Sequence, residues 1–382
     1  MLLLSDIYHI SFHPGYYLLN NAVTRTIAKY LSPEYLMLGA EVLGILIAIV
    51  VTAIYVYLFY KKRNFFYTER VRNLLEPMIS HIIMEESMET IEIPHKMNRI
   101  LSSPVARQYI IDELIRCKKN FSGLVAQHVI ILYERLELKK YSLQKVSDKT
   151  GWHIKAQGIQ ELYMMDQHDA LKMIYRNTNS KNEFVRMEAQ TGVIHLTGFP
   201  GLRFLDVISY PLTEWQQLKL LEQLRLYPEK QDISEKIPKW LLSKNNTVVV
   251  FALKLVDEYQ LFSVRRYVIN CLVHPAYQVR SQALKTMIRV EDETTPVVLL
   301  GYFNKESLPD QIFILEALRA IATEREAGFL QKLLDHENDM IKLKAAIVLA
   351  ACSAKGLDIL EKRAADQPEP YYRIYRHVKT VK

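Results

Sequence analysis

Glycine, proline and cysteine are all scarce in this chain. Only 12 glycines and 14 prolines occur among 382 residues, which disfavours glycine-rich phosphate-binding loops and β-sandwiches with many tight turns. The three cysteines, Cys117, Cys271 and Cys352, are too few and too far apart for a disulfide framework or a thiolate zinc site. We therefore expect an all-α protein without a metal site.

Sequence motifs for common catalytic sites are also missing. The chain contains no Gly-x-x-x-x-Gly-Lys-Ser/Thr loop, no Gly-x-Gly-x-x-Gly, no His-Glu-x-x-His, no Gly-x-Ser-x-Gly and no Cys-x-x-Cys. These absences remove the usual nucleotide-binding, zinc-protease and hydrolase interpretations. We expect a protein that is not an enzyme, with no catalytic residues and no cofactor.

One long apolar run stands out near the N-terminus. Residues 42–60 carry no charge, and a mainly apolar stretch that ends in Glu41 extends the run back to Tyr35. At about 1.5 Å per residue, 19 helical residues cross a hydrocarbon core of about 30 Å. The sequence therefore predicts a transmembrane helix over residues 35–60, preceded by a tail of residues 1–34.

Basic residues follow this run directly. Their excess on one side predicts, by the positive-inside rule, a single-pass protein of the inner (plasma) membrane with its N-terminus outside and its C-terminal domain in the cytoplasm. The same residues are expected to contact anionic lipid headgroups. They are Lys61, Lys62, Arg63, Arg70 and Arg72.

A motif recurs about every 31 residues after the predicted anchor. It consists of a polar loop, an aliphatic residue, often a basic residue, two variable positions and a small residue that opens an apolar helix. Clear copies begin at Val185, Val279 and Ile341, and weaker ones at residues 154, 215, 248 and 312. In the copy at Val279 the apolar positions follow steps of four, four and three, which predicts one buried helix stripe. Such hairpins must stack on their neighbours to bury that stripe.

The motif resembles the HEAT repeat, in particular the short bacterial HEAT-like class that phycobilisome lyases also contain. The resemblance implies a right-handed α-solenoid of helical hairpins over residues 150–366, behind the N-terminal transmembrane helix. Residues 61–149 are expected to form the juxtamembrane and N-terminal helical part of the solenoid. Similar bacterial membrane proteins imply a partner in envelope polysaccharide or signalling machinery.

Candidate contact residues are basic. Lys254, Arg265 and Arg266 are candidates for partner binding, with a solvated helix face as the alternative. The recurring Arg186, Arg280 and Lys342 suggest either a ligand-binding ladder or, as in HEAT arrays, pairing with loop acids of adjacent repeats. The segment 367–382 is expected to be a basic, aromatic tail that either contacts a partner or lipid or frays as a solubilising end; its basic residues are Arg373, Arg376, Lys379 and Lys382.

Together these features predict a membrane-anchored scaffold or adaptor that binds a protein partner, itself associated with the membrane. One alternative is a membrane-tethered lyase or hydroxylase of HEAT type. A hydroxylase site of this type implies several His-Glu pairs, and the chain has one, His336-Glu337. A nucleic-acid-binding array is the other alternative; with a net charge of only +7, no nucleic acid is expected.

Overall fold

The computed structural model describes residues 33–85, 93–147, 149–227 and 232–381, and every regular element within these ranges is a helix. The predicted N-terminal tail up to residue 32, and Lys382, lie outside the described residues. The chain divides into two compact units, Met1–Ile131 and Leu132–Lys382. The first contains α1 (Pro33–Glu85), α2 (His95–Leu101), α3 (Pro104–Asn120) and the beginning of α4 (Leu124–Arg135).

Helix α1 has two parts with different surfaces. Large apolar side chains over residues 37–60 are exposed, and this is the one helix of the described ranges that is long and apolar enough to cross a membrane. Further along the same helix, Val71, Leu75, Met78 and Ile82 are buried. Their steps of four, three and four residues place them on one stripe, which packs within the first unit.

The second unit continues with short helices joined by tight loops and 3₁₀ turns. In chain order they are α5 (Lys139–Lys145), α6 (Trp152–Met164), α7 (Leu171–Tyr175), α8 (Glu183–Thr197), α9 (Glu214–Arg225), α10 (Ile237–Leu241), α11 (Asn246–Tyr259), α12 (Arg265–Cys271), α13 (Tyr277–Arg289), α14 (Thr295–Tyr302), α15 (Leu308–Ile321), α16 (Ala327–Leu333), α17 (Asp339–Cys352), α18 (Gly356–Asp366) and α19 (Pro368–Val381). A 3₁₀ segment, Phe199–Asp206, takes the place of a second helix after α8.

Seven of these helices open a repeating hairpin. They begin at residues 152, 183, 214, 246, 277, 308 and 339, so successive starts are 31 or 32 residues apart. Each start lies within four residues of a start predicted from the motif. The predicted stripe of α13 is confirmed, because Val279, Ala283, Met287 and Val290 are all fully buried.

Hydrogen bonds between hairpins show that they stack in order. The Trp240 indole Nε1 donates to Asp206 Oδ1 at 2.8 Å, across 34 residues. Thr286 Oγ1 donates to the Leu253 carbonyl at 3.2 Å, across 33 residues. Because these bonds connect neighbouring units of the array, the second unit is a solenoid-like helical-repeat fold.

The C-terminal segment differs from the expected tail. Residues Pro368–Val381 form helix α19, with non-helical backbone angles at Glu369. Its Tyr371, Ile374 and Val378 are buried, and the Tyr371 hydroxyl donates to the Leu334 carbonyl at 2.8 Å. The helix therefore covers the apolar end of the array, as terminal elements of solenoids commonly do.

Candidate binding surfaces

The recurring arginine of the repeat motif is a structural residue. Arg186 Nη1 donates to the carbonyls of Ser180 at 2.7 Å and Lys181 at 3.4 Å. Arg280 Nη1 makes the equivalent bonds, six and five residues back, at 3.0 and 3.1 Å. Each guanidinium thus ties the preceding loop to the start of its helix. These contacts favour a structural role over a ligand-binding ladder at both positions. Of the two, Arg280 also has the expected loop acid, because it pairs with Glu306 at 3.4 Å, whereas Arg186 donates to the loop carbonyls.

The same device occurs in the first unit, where the motif is too degenerate to recognise. Arg107 Nη1 donates to the carbonyls of Leu101 at 2.7 Å and Ser102 at 3.0 Å, again six and five residues back. Ala106, at the position that Val185 and Val279 occupy in the clear copies, is fully buried. Helix α3 therefore begins as the repeat helices do. Lys342 differs, because its ammonium pairs with Asp339 at 2.9 Å.

The three partner-binding candidates lie in different environments. Arg265 Nη2 pairs with Asp292 Oδ1 at 2.7 Å and donates to Thr295 Oγ1 at 3.0 Å, and its side chain is only 13% exposed. Arg266 is exposed. Lys254 is half-buried, and burial lowers the pKa of its ammonium group. Arg265 thus joins successive repeats, whereas Arg266 is open to a partner; partner binding at these positions stays a prediction.

The basic residues that follow the apolar run are exposed on α1. Lys61 lies 5.9 Å from the Tyr57 ring centroid and Arg63 lies 5.1 Å from that of Tyr60. Lys62 and Arg70 are exposed, and Arg72 forms a surface pair with Glu76 at 3.6 Å. Tyrosine and basic side chains therefore lie side by side where the uncharged run ends, which is the composition expected at a membrane interface.

The basic residues of the C-terminal segment share the exposed side of α19. Arg373, Arg376 and Lys379 are exposed, opposite the buried Tyr371 stripe. Arg373 pairs with Glu369 at 3.0 Å. The segment is thus ordered on one side and remains available for contact on the other.

A row of exposed aromatic side chains follows the beginnings of the repeat helices. Trp152, Phe184 and Trp215 are 49%, 52% and 67% exposed. Each is the first or second residue of its helix, and the rings of Trp152 and Phe184 stack with centroids 5.1 Å apart. We call these three residues the aromatic row. Large apolar side chains clustered on a surface mark interaction sites, and tryptophan is enriched among binding hot spots.

The local sequence explains why these rings point outward. Asn182 caps α8 by accepting from the Phe184 and Val185 amides, and Thr213 caps α9 in a capping box with Gln216. The caps fix the first turn, and burial of residue three of α8, Val185, leaves Phe184 on the outer side. The row does not continue in the fourth hairpin, because Thr247 is the second residue of α11. Its hydroxyl accepts a hydrogen bond from the Leu212 amide at 2.8 Å.

A cavity of about 710 Å³ with a mixed polar and apolar lining lies between the 3₁₀ segment Phe199–Asp206 and helices α10 and α11. Asp206 at its wall pairs with Lys239 at 2.8 Å and accepts from Trp240. Burial raises the pKa of the Asp206 carboxyl, but the hydrogen bonds from Lys239 and Trp240 outweigh it and hold the pKa below its usual value. This carboxylate is ionised and engaged, and it is poorly suited to act as a proton carrier.

The cysteines and metal-ligating residues show no reactive arrangement in the described ranges. Burial raises the pKa of Cys271 to about 11, and burial also raises the pKa values of Cys117 and Cys352. These thiols are therefore less nucleophilic than free cysteine. Within residues 33–85, 93–147, 149–227 and 232–381, no group of three His, Cys, Asp or Glu side chains is placed to hold a metal ion.

No family model and no curated protein matches the chain. Solved structures that match include an engineered protein, at 13% identity over 73% of this chain and 86% of that one, with a TM-score of 0.36. Human deoxyhypusine hydroxylase in complex with glycerol matches at 16% identity over 73% and 97%, with a TM-score of 0.24. The CpcE–CpcF complex of phycocyanin lyase from Nostoc sp. matches at 13% identity over 76% and 99%, with a TM-score of 0.23. These remote similarities say nothing about activity.

Proposed function

We propose that the protein is a membrane-anchored scaffold or adaptor. A right-handed array of HEAT-like hairpins would hold a protein partner at the cytoplasmic face of the inner membrane. The aromatic row carries this proposal, because two tryptophans and a phenylalanine are exposed at regular intervals along the repeat helices, and tryptophan is enriched among binding hot spots. The resemblance to bacterial HEAT proteins suggests a partner in envelope polysaccharide or signalling machinery.

The exposed apolar part of α1 supports the anchor. Side chains such as Ile47 and Val50 are about half exposed, so this surface would face water unless lipid or another protein covers it. The basic residues from Lys61 onward would lie among anionic headgroups. This arrangement would confine the aromatic row to partners at the membrane.

The anchor is tested by fractionation of the full-length chain. We expect it to stay in the membrane pellet after an alkaline carbonate wash. Replacing Ile47 and Val50 by Arg should release it, since each central arginine costs about 2.5–3.5 kcal/mol on insertion scales. The same two replacements at exposed Val207 and Val273 serve as the control. Release of the unmodified chain, or retention of the I47R/V50R variant, would contradict the anchor.

Partner binding is tested by co-purification in mild detergent after crosslinking in cells. Replacing Trp152, Phe184 and Trp215 by Ser should remove most of the bound partner, because aromatic hot spots each contribute about 2 kcal/mol or more. The matched control replaces Leu242, Val273 and Val297 by Ser; these are apolar residues outside the aromatic row that are 61–84% exposed. Equal loss in both variants, or no loss in the first, would count against the proposal.

A further inference from the structure

A second cavity of the second unit combines apolar walls with a basic rim. It measures about 530 Å³, within the range of small-ligand pockets. Helix α7, the end of α8 and the 3₁₀ segment Phe199–Asp206 surround it. Its apolar walls come mainly from Leu171, Tyr175, Val193 and Pro200, and its basic residues are Lys172, Arg176 and Arg203. We call it the basic-rimmed pocket.

The three basic side chains of the pocket are exposed, and none of them forms an ion pair within the described residues. Three acidic residues on or next to these elements are engaged elsewhere: Glu188 of α8 pairs with Lys219 at 3.0 Å, and the other two are Asp169 and Asp206. Asp169 pairs with Lys139, and Asp206 pairs with Lys239 at 2.8 Å. Three positive charges therefore surround one apolar cavity without neutralisation, an arrangement that favours an anionic ligand group.

The wall of the pocket is fixed by close backbone packing. A Cβ at Gly201 would lie 3.0 Å from the Val193 carbonyl oxygen and 2.9 Å from Thr197 Oγ1, so the 3₁₀ segment rests directly on α8. Gly198 enters this segment with a φ of 64°, an angle that glycine adopts readily. A pocket held in this way is largely preformed, which lowers the entropy cost of binding.

We propose that the basic-rimmed pocket binds a free, single-chain carboxylate amphiphile of the fatty-acid type. Its hydrocarbon chain lies against Val193, Tyr175 and Pro200, and its carboxylate lies between Arg176 and Arg203. Guanidinium groups bind carboxylates with paired hydrogen bonds. The apolar walls suit the hydrocarbon chain of the ligand, and the unpaired basic side chains of the rim suit its carboxylate. This assignment is independent of the proposed scaffold function.

The test measures binding of radiolabelled dodecanoate to the full-length chain in nanodiscs of zwitterionic lipid, with empty nanodiscs subtracted. We expect saturable binding that weakens with salt, and no binding of dodecyltrimethylammonium. The double variant R176E/R203E should lose at least tenfold in affinity. R176K/R203K should lose less, because lysine keeps the charge but not the paired hydrogen bonds, and R319E, at an exposed arginine of α15, should bind normally.

Hydrogen exchange of the unmodified protein, measured with and without dodecanoate, tests the assignment even if the charge-reversal variant fails to fold. Dodecanoate should protect residues 171–176 and 193–203. Equal binding of the cationic amphiphile, unchanged affinity in folded R176E/R203E, or absence of protection would overturn the assignment. Protection only by nanodiscs that contain phosphatidylglycerol would also overturn it, because the occupant would then be a membrane lipid.

Discussion

The loop-closing role of Arg186 leads to a quantitative prediction for the variant Arg186→Met. Methionine keeps much of the buried apolar stem and removes the guanidinium, which is bonded to the Ser180 and Lys181 carbonyls. The guanidinium carbon also lies 4.6 Å from the Tyr210 ring centroid. The variant therefore removes two charge-assisted hydrogen bonds and one cation–π contact.

Hydrogen bonds to charged groups contribute about 1.5–3 kcal/mol, and a cation–π contact contributes about 0.5–2 kcal/mol. Part of this gain is offset, because Arg186 Nε is buried and has no hydrogen-bond partner among the described residues. We expect a net loss of about 2–4 kcal/mol in local stability. Since 1.4 kcal/mol corresponds to a factor of ten, a loss of 2 kcal/mol raises the equilibrium constant for local opening roughly 30-fold.

Hydrogen exchange is the suitable assay, because repeat arrays do not unfold in one cooperative step. Amides of residues 178–190 should exchange at least tenfold faster in Arg186→Met. Arg319→Met, at an exposed arginine of α15, is the control and should leave the exchange rates unchanged. If protection around residues 178–190 is the same in Arg186→Met and in the unmodified chain, the loop-closing role is refuted.

Three further predictions concern buried groups. Glu161, fully buried, accepts from Lys145 Nζ at 2.6 Å and from the Ser142 hydroxyl at 2.7 Å, so Glu161→Leu should cost about 3–5 kcal/mol by removing the carboxylate of a buried ion pair; unchanged exchange at α5 and α6 would contradict this. At Gly198 a new Cβ would lie 2.5 Å from the Tyr227 ring, so Gly198→Ala should speed hydrogen exchange around residues 194–202; unchanged exchange there would contradict the close packing. Burial raises the pKa of Cys271 to about 11, so iodoacetamide at pH 8.5 should modify it far more slowly in the folded chain than in urea; equal rates would refute its burial.

The repeat was predictable because it depends on spacing alone. The steps from Val279 to Val290 specify one stripe of a helix, and the 31-residue interval between motif copies specifies the hairpin. Both follow from the geometry of a single chain segment, so no knowledge of neighbouring hairpins is required.

Features that depend on stacking were not predictable in the same way. Arg265 looks like a surface cation in the sequence, but its partner Asp292 lies 27 positions ahead, and only stacking brings the two together. The aromatic row was visible as single residues, yet no pattern in the sequence says that Trp152 and Phe184 touch. The C-terminal helix was predictable in principle, because Tyr371, Ile374 and Val378 have the spacing of one buried helix face. The many basic residues of the segment suggested a solvated tail instead.

The basic-rimmed pocket was also missed, for a related reason. Its residues come from three elements, and Val193 and Arg203 belong to segments that look like ordinary core helix and loop. Exposed basic residues are common on any surface. Only the structure shows that Asp169, Glu188 and Asp206 each pair with another lysine and that the basic residues of the pocket form no ion pair within the described residues.

The proposed scaffold function is tested most directly by photo-crosslinking in living cells. A photoreactive phenylalanine analogue replaces Trp215 in the aromatic row or, as the control, the equally exposed Val297. The scaffold account predicts one dominant crosslinked membrane protein at position 215 and none at position 297. Identical products at both positions, or no protein product at 215 while the chain remains folded in the membrane, would contradict it.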